Sequence, residues 1–158
     1  MLRAVFLLVH VGATAVWLGA MVYSLLVVQP RLTAFFADAR EREDFATVLA
    51  AGARWKLLGL AVALALSGAG LAALEVAEEE SPSNAWIALV VAKAALLAAA
   101  VALLVYVSWR LWPARLLAHM SGSPELRRIQ HRFRVIGVTL TVLITGGLLA
   151  GVLADAVR

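Results

Sequence analysis

The sequence predicts an all-α protein: an integral membrane four-helix bundle with its N-terminus and C-terminus outside. Three observations carry this. Of 158 residues, 63% are hydrophobic and 15% charged, whereas a soluble domain is about half apolar and a quarter charged. Four apolar runs, at 2–28, 57–74, 85–106 and 135–154, approach or exceed the roughly 20 residues a helix needs to cross hydrocarbon. Basic residues, finally, gather in alternate loops. Together they predict a single membrane domain over 1–158, with spans at about 3–28, 55–75, 85–108 and 134–156.

Span 1 begins like a secretion signal, with Arg3 before an apolar stretch and Ala13-Thr14-Ala15 in place of a cleavage site. Its apolar run continues well past that point, to a length that spans, so it reads as a membrane helix. The loop after it carries Arg31, Arg40, Arg42, Arg54 and Lys56, and the loop after span 3 carries Arg110, Arg115, Arg127, Arg128, Arg132 and Arg134. The opposite side has Arg3, Arg158 and the acidic turn "EVAEEESPSN". Cytoplasmic loops attract lysine and arginine, which puts both long loops inside, in a cytoplasmic (inner) membrane crossed several times.

Boundary residues fit that orientation. Trp55, Trp109 and Trp112 fall at the inner interface and Trp86 at the outer one, where amphipathic rings settle. Pro30 and Pro113 are expected to end spans 1 and 3, because proline cannot continue the hydrogen-bond ladder. "DAREREDF" reads as a mixed-charge helical lead into span 2. In "SGSPEL", Ser123 is a fitting N-cap and Pro124 a first-turn residue for the last helix. The turns that follow set Leu126, Ile129, Phe133 and Ile136 among basic residues, so Arg127, Arg128, Arg132 and Arg134 are expected to meet anionic headgroups of the lipid bilayer.

Small residues drive helix contacts in lipid. Gly12 and Gly19 of span 1, Ser67, Gly68 and Gly70 of span 2, and Gly147 with Gly151 in span 4 are the expected packing positions, within the monomer or in a homo-oligomer or larger membrane complex. No clear internal repeat or low-complexity tract emerges. The absence of cysteine excludes disulfides, thiolate metal sites and Cys-linked haem. The sequence also lacks a phosphate loop and a nucleophile elbow. The net charge of +4 arises from arginines that flank spans, so it indicates lipid and no nucleic acid.

Two ionisable side chains lie well inside the spans, His10 and Lys93. Each is roughly 10–14 Å from the outer start of its helix at 1.5 Å per residue, so they share a depth. On span 1, His10, Thr14, Trp17, Met21 and Ser24 form one stripe; Ser67 and Thr145 reach similar depth from spans 2 and 4. A charged lysine at that depth costs on the order of 2.5 kcal/mol unless it snorkels, pairs or loses its proton. His119 and His131 belong to the inner side, about 20 Å from His10, which excludes one bis-histidine haem within a monomer. Imidazole and thioether suit copper, but Met21 is about three turns from His10, too far to share an ion.

The pattern His10-x6-Trp17-x-Gly19 resembles the opening helix of the copper-resistance protein D (CopD) family. "VVAKAALLAAAVALL" is similar to that family's helix with an early lysine, here Lys93, and "ELRRIQHRFRVIGVTLTVLITGGLLAGVLA" to its last span. The resemblance covers most of the chain and implies copper movement or tolerance, although no methionine or histidine cluster is present. The chain also resembles the HemJ-type membrane protoporphyrinogen oxidases, with His then Trp in helix 1, Pro30-Arg31-Leu32, and a later lysine. That likeness implies haem b, with His10 and Lys93 in its activity. Here glycine follows Trp17 after one residue rather than two, and Pro-Arg-Leu falls several residues late. The expected site is therefore His10, Thr14, Trp17 and Lys93, with His10 as the metal ligand and copper or haem b as the cofactor. A non-catalytic accessory subunit is the third expectation.

Overall fold

A computed structural model describes residues 1–78 and 83–156, with side chains through 154. Glu79, Glu80, Ser81 and Pro82 of the acidic turn, and Arg158, lie outside the described residues. Every regular element among those described is helical: α1 (Leu2–Tyr23), α2 (Gln29–Phe35), α3 (Ala39–Ala50), α4 (Ala53–Glu78), α5 (Asn84–Tyr106), α6 (Trp112–Met120) and α7 (Leu126–Ala156). Among the described residues four stretches are long and apolar enough to cross a membrane: Leu2–Phe35, Ala53–Glu78, Asn84–Met120 and Leu126–Ala154. They form an antiparallel ring in which α1 meets α4 and α7, and α5 meets the same two. Most large apolar side chains, among them Leu8, Leu26, Leu66 and Val142, point outward, which only a hydrocarbon solvent accepts at this density.

The two prolines do not end their helices. α1 passes into α2, and α5 into α6, through a wide π turn, Ser24–Val28 in one case and Val107–Leu111 in the other. In each, the residue before proline bonds five residues back: the Gln29 N–H donates to the Ser24 carbonyl and the Trp112 N–H to that of Val107. A proline ring clashes with the carbonyl four residues earlier. The extra residue in the turn moves that carbonyl aside, and the helix continues. The continuous helices are therefore 34 and 37 residues long, or about 51 and 55 Å. That exceeds the ~40–45 Å of a whole bilayer, so the bundle projects beyond the membrane at its basic, loop-bearing end.

The two π turns also reveal a repeat that the sequence alone concealed. Pro30 and Pro113 are 83 positions apart (113 − 30), as are Tyr23 and Tyr106, His10 and Lys93, and Gly68 and Gly151. Both π turns keep this separation, as do Trp17 and Ala100, both fully buried. Residues 1–75 and 84–158 thus align without a gap, each half a long helix, a π turn, a short helix and a return helix. The halves differ in the return. In the first half it is broken at Gly52, whose φ of 75° suits glycine, separating α3 from α4. In the second it is the single helix α7.

The core is a layer to which each long helix contributes two residues: Ala13 and Trp17, Ala61 and Leu64, Ala100 and Leu104, Leu140 and Ile144. Trp17 is the largest side chain of this layer, and its repeat counterpart in the same layer is the small Ala100. The glycines behave unevenly. Gly70 faces the Phe6 ring, where an added Cβ would come within 2.7 Å, and Gly146 faces Leu96. Gly12, Gly19 and Gly147 have open space around them, so the expected glycine face of span 1 is not a helix contact within the monomer. Trp86 is buried at the start of α5 rather than set out at the interface, whereas Trp55 and Trp109 are exposed and stack edge to face at 6.0 Å.

Trp17→Ala should lower stability by about 3–5 kcal/mol through loss of contacts and the cavity left behind, and Ala100→Leu by about 1–3 kcal/mol through overpacking. Chemical unfolding in detergent micelles, followed by far-ultraviolet circular dichroism, measures both; a Trp17→Ala midpoint equal to wild type would refute the central role of the indole.

Candidate functional site

Membrane helices satisfy their own backbone, so the site is a matter of which side chains turn inward. His10 sits on α1 seven residues after Arg3, about 10 Å along the helix. Its Nδ1 lies 2.9 Å from Ser67 Oγ on α4. Ser67 is buried at 2% exposure, and its hydroxyl donates to the Ala63 carbonyl at 2.6 Å, with that of Leu64 at 3.3 Å. The ring rests against Gly68, where an added Cβ would meet Cε1 at 3.2 Å and Nδ1 at 3.6 Å. Ser67 and Gly68 together form a cradle on α4 for the Nδ1 edge of the imidazole.

Lys93 occupies the equivalent place in the second half. It crosses from α5 to α7 and lies over Gly151, where a Cβ would come within 3.0 Å of Nζ. Above this pair, towards the helix ends, Arg3 bridges α1 and α4, donating to Glu75 Oε2 at 3.2 Å and Glu78 Oε2 at 2.8 Å. Glu75 is buried, while Arg3 is 45% exposed on its side chain, so solvent and headgroups screen this clamp.

The structure therefore brings His10, Ser67 and Lys93 to the same end of the bundle. It directs the other expected residues elsewhere. The Thr14 hydroxyl donates to the His10 carbonyl within its own helix at 2.8 Å. Trp17 is in the apolar core, its indole Nε1 buried with no hydrogen-bond partner among the described residues, at a cost of about 1–3 kcal/mol. Thr145 faces outward and bonds the Thr141 carbonyl. His119 pairs with Asp44 at 3.0 Å at the basic end, and His131 is exposed there. Among the described residues no three His, Asp or Glu side chains converge as metal ligands.

A second polar centre escapes sequence reading. Glu43 of α3 is buried at 4% exposure and binds Arg115 of α6 through two bonds, from Nε and Nη2, each 2.8 Å. Gln130 of α7 donates to the same carboxylate at 2.6 Å, and the Arg115 guanidinium stacks over Phe133 at 4.9 Å. Burial pushes the Glu43 carboxyl up, but the Arg115 hydrogen bonds and charge, with Gln130, outweigh it and hold the group below its ordinary value. Charge counting reads Arg115 as a topology signal and Glu43 as part of a solvated run. The signal that finds it is spacing: Glu43, Ala46, Thr47 and Ala50 share one helical face, the only one small enough to pack inward.

No family model, curated protein or solved structure matches the chain.

Because the folded Glu43 carboxyl titrates below its unfolded value, its stabilisation is present at neutral pH and down to about pH 4. It is lost as pH falls through the folded value. Arg115→Ala, which strands a buried carboxylate, should cost about 3–5 kcal/mol at pH 7. Thermal unfolding in detergent between pH 3 and 7 checks both, since Glu43→Gln should flatten the acid limb; an unchanged acid limb in that variant would count against the assignment.

Proposed function

We propose that this multi-pass protein is a CopD-like component of the cytoplasmic (inner) membrane that holds one metal-bearing group, haem b or copper, through His10 in the outer half of the bilayer. The observation that supports this is the single imidazole cradled by Ser67 and Gly68, with Lys93 over Gly151 at the same end of the bundle. An imidazole placed in hydrocarbon and braced along one edge is more than a packing residue needs, and polar groups at such depth mark function.

The donor set favours haem b of the two groups. A bare copper ion needs several protein ligands, and no group of three or more His, Asp or Glu side chains that could hold one forms among the described residues. Haem b asks less of the protein, an imidazole to hold it: His10 would supply that, and Lys93 would offer a positive charge to an acidic periphery. Bound haem would add one-electron exchange to the outer half of the membrane. Trp17 contributes stability to this reading, not ligation. The exposed Arg127, Arg128, Arg132 and Arg134 anchor the opposite end on anionic headgroups.

The test is an absorption spectrum and metal analysis of protein purified in detergent, before and after addition of haem b or copper. A Soret band in the wild type, lost or at least about tenfold weaker in affinity in His10→Ala (~1.4 kcal/mol), is the expected result. A protein that takes up neither haem nor copper overturns the proposal, and copper uptake without a Soret band selects copper over haem.

A further inference from the structure

We infer that Ser67 is the positioning residue for His10: it fixes the imidazole proton on Nδ1 and so makes Nε2 the only ring nitrogen able to bind a ligand or exchange a proton. The argument is one of proton counting. A serine hydroxyl has one hydrogen and lone pairs to accept with. The Ala63 carbonyl, 2.6 Å from Ser67 Oγ, can only accept, so the hydroxyl hydrogen is committed to it. The Leu64 carbonyl at 3.3 Å makes the same demand. Towards His10, 2.9 Å away, the oxygen is therefore an acceptor, and Nδ1 must donate. This holds whether the ring is neutral or charged. With Nδ1 as the donor to Ser67, Nε2 carries the lone pair of the neutral ring.

The internal repeat supplies a control within the same molecule. At the positions of His10, Ser67 and Gly68, the second half has Lys93, Ala150 and Gly151. Both halves keep the glycine, and both long side chains lie on it. Where the side chain is an ammonium, which needs no tautomer set, the hydroxyl is a methyl group. A small residue is therefore enough for helix packing at this place, and the hydroxyl of Ser67 serves the imidazole. Histidine that ligates through one nitrogen ordinarily donates from the other to a fixed acceptor; Ser67 is that acceptor here.

This inference rests on the proposed role of His10 only for its use, because the tautomer itself is measurable without any ligand. Nitrogen-15 NMR of histidine-labelled protein in detergent resolves three imidazoles, and His10 is assigned by its disappearance in His10→Ala. The wild type should show His10 protonated at Nδ1. Ser67→Ala should release it to the Nε2–H form or a mixture, and Ser67→Thr should restore Nδ1–H. If haem or copper binds, Ser67→Ala should weaken it by roughly 10–100-fold. A wild-type Nε2–H tautomer overturns the inference, as does a tautomer unchanged in a folded Ser67→Ala; should that variant fail to fold, the wild-type and Ser67→Thr spectra decide. An Nδ1–H tautomer in a protein that binds neither haem nor copper sinks the proposed function and leaves the inference standing.

Discussion

Lipid chains are as apolar as leucine, so these helices gain little by burying apolar surface against one another; close packing has to hold them. That constraint converges on Trp17. Its indole is fully buried in one core cluster with residues from all three other long helices, among them the small Ala100, its counterpart in the second half. The repeat is thus symmetric in its backbone and asymmetric at its axis, as interdigitation of large and small residues requires.

The same large-against-small logic explains how much of the fold the sequence discloses. Span number and fold class follow from length and hydropathy, because hydrocarbon thickness admits few alternatives. The helix ends do not. Proline at positions 30 and 113 reads as a stop, and it would be one in a regular ladder; the π turn that cancels the clash has no composition signature of its own. It becomes visible only as a pair, once Tyr23–Pro30 and Tyr106–Pro113 are set against each other. Glycine is similarly ambiguous. Gly68 and Gly151 face partners while Gly12 and Gly147 do not, and nothing in the residue type tells which.

At the site, depth was legible and direction was not. Counting 1.5 Å per residue placed His10 and Lys93 at one level and His119 and His131 at the other end, because rise along a helix is nearly invariant. Thr14 and Trp17 were grouped with His10 by angle alone. Angle gives a face, but a threonine can return its hydroxyl to its own helix, as Thr14 does, and a tryptophan one turn further in meets the core. Ser67, the residue in direct contact with the imidazole, was legible as a small packing residue; its chemistry depends on a neighbour 57 positions away.

The distribution of buried polar groups sets a limit on mechanism. Ser67 and Glu75 lie towards the terminal end, and Glu43 and Ser108 towards the basic end. Between them is the layer of Ala13, Trp17, Ala61, Leu64, Ala100, Leu104, Leu140 and Ile144, whose one polar side-chain atom, Trp17 Nε1, has no partner among the described residues. A proton relay needs groups within hydrogen-bond reach of one another, and this layer interrupts any such series. The imidazole therefore has no side-chain relay to the basic end among the described residues. The Glu43–Arg115 centre can influence it only by holding helices in place: it ties α3, α6 and α7 together, and α7 carries Gly151, the surface on which Lys93 rests.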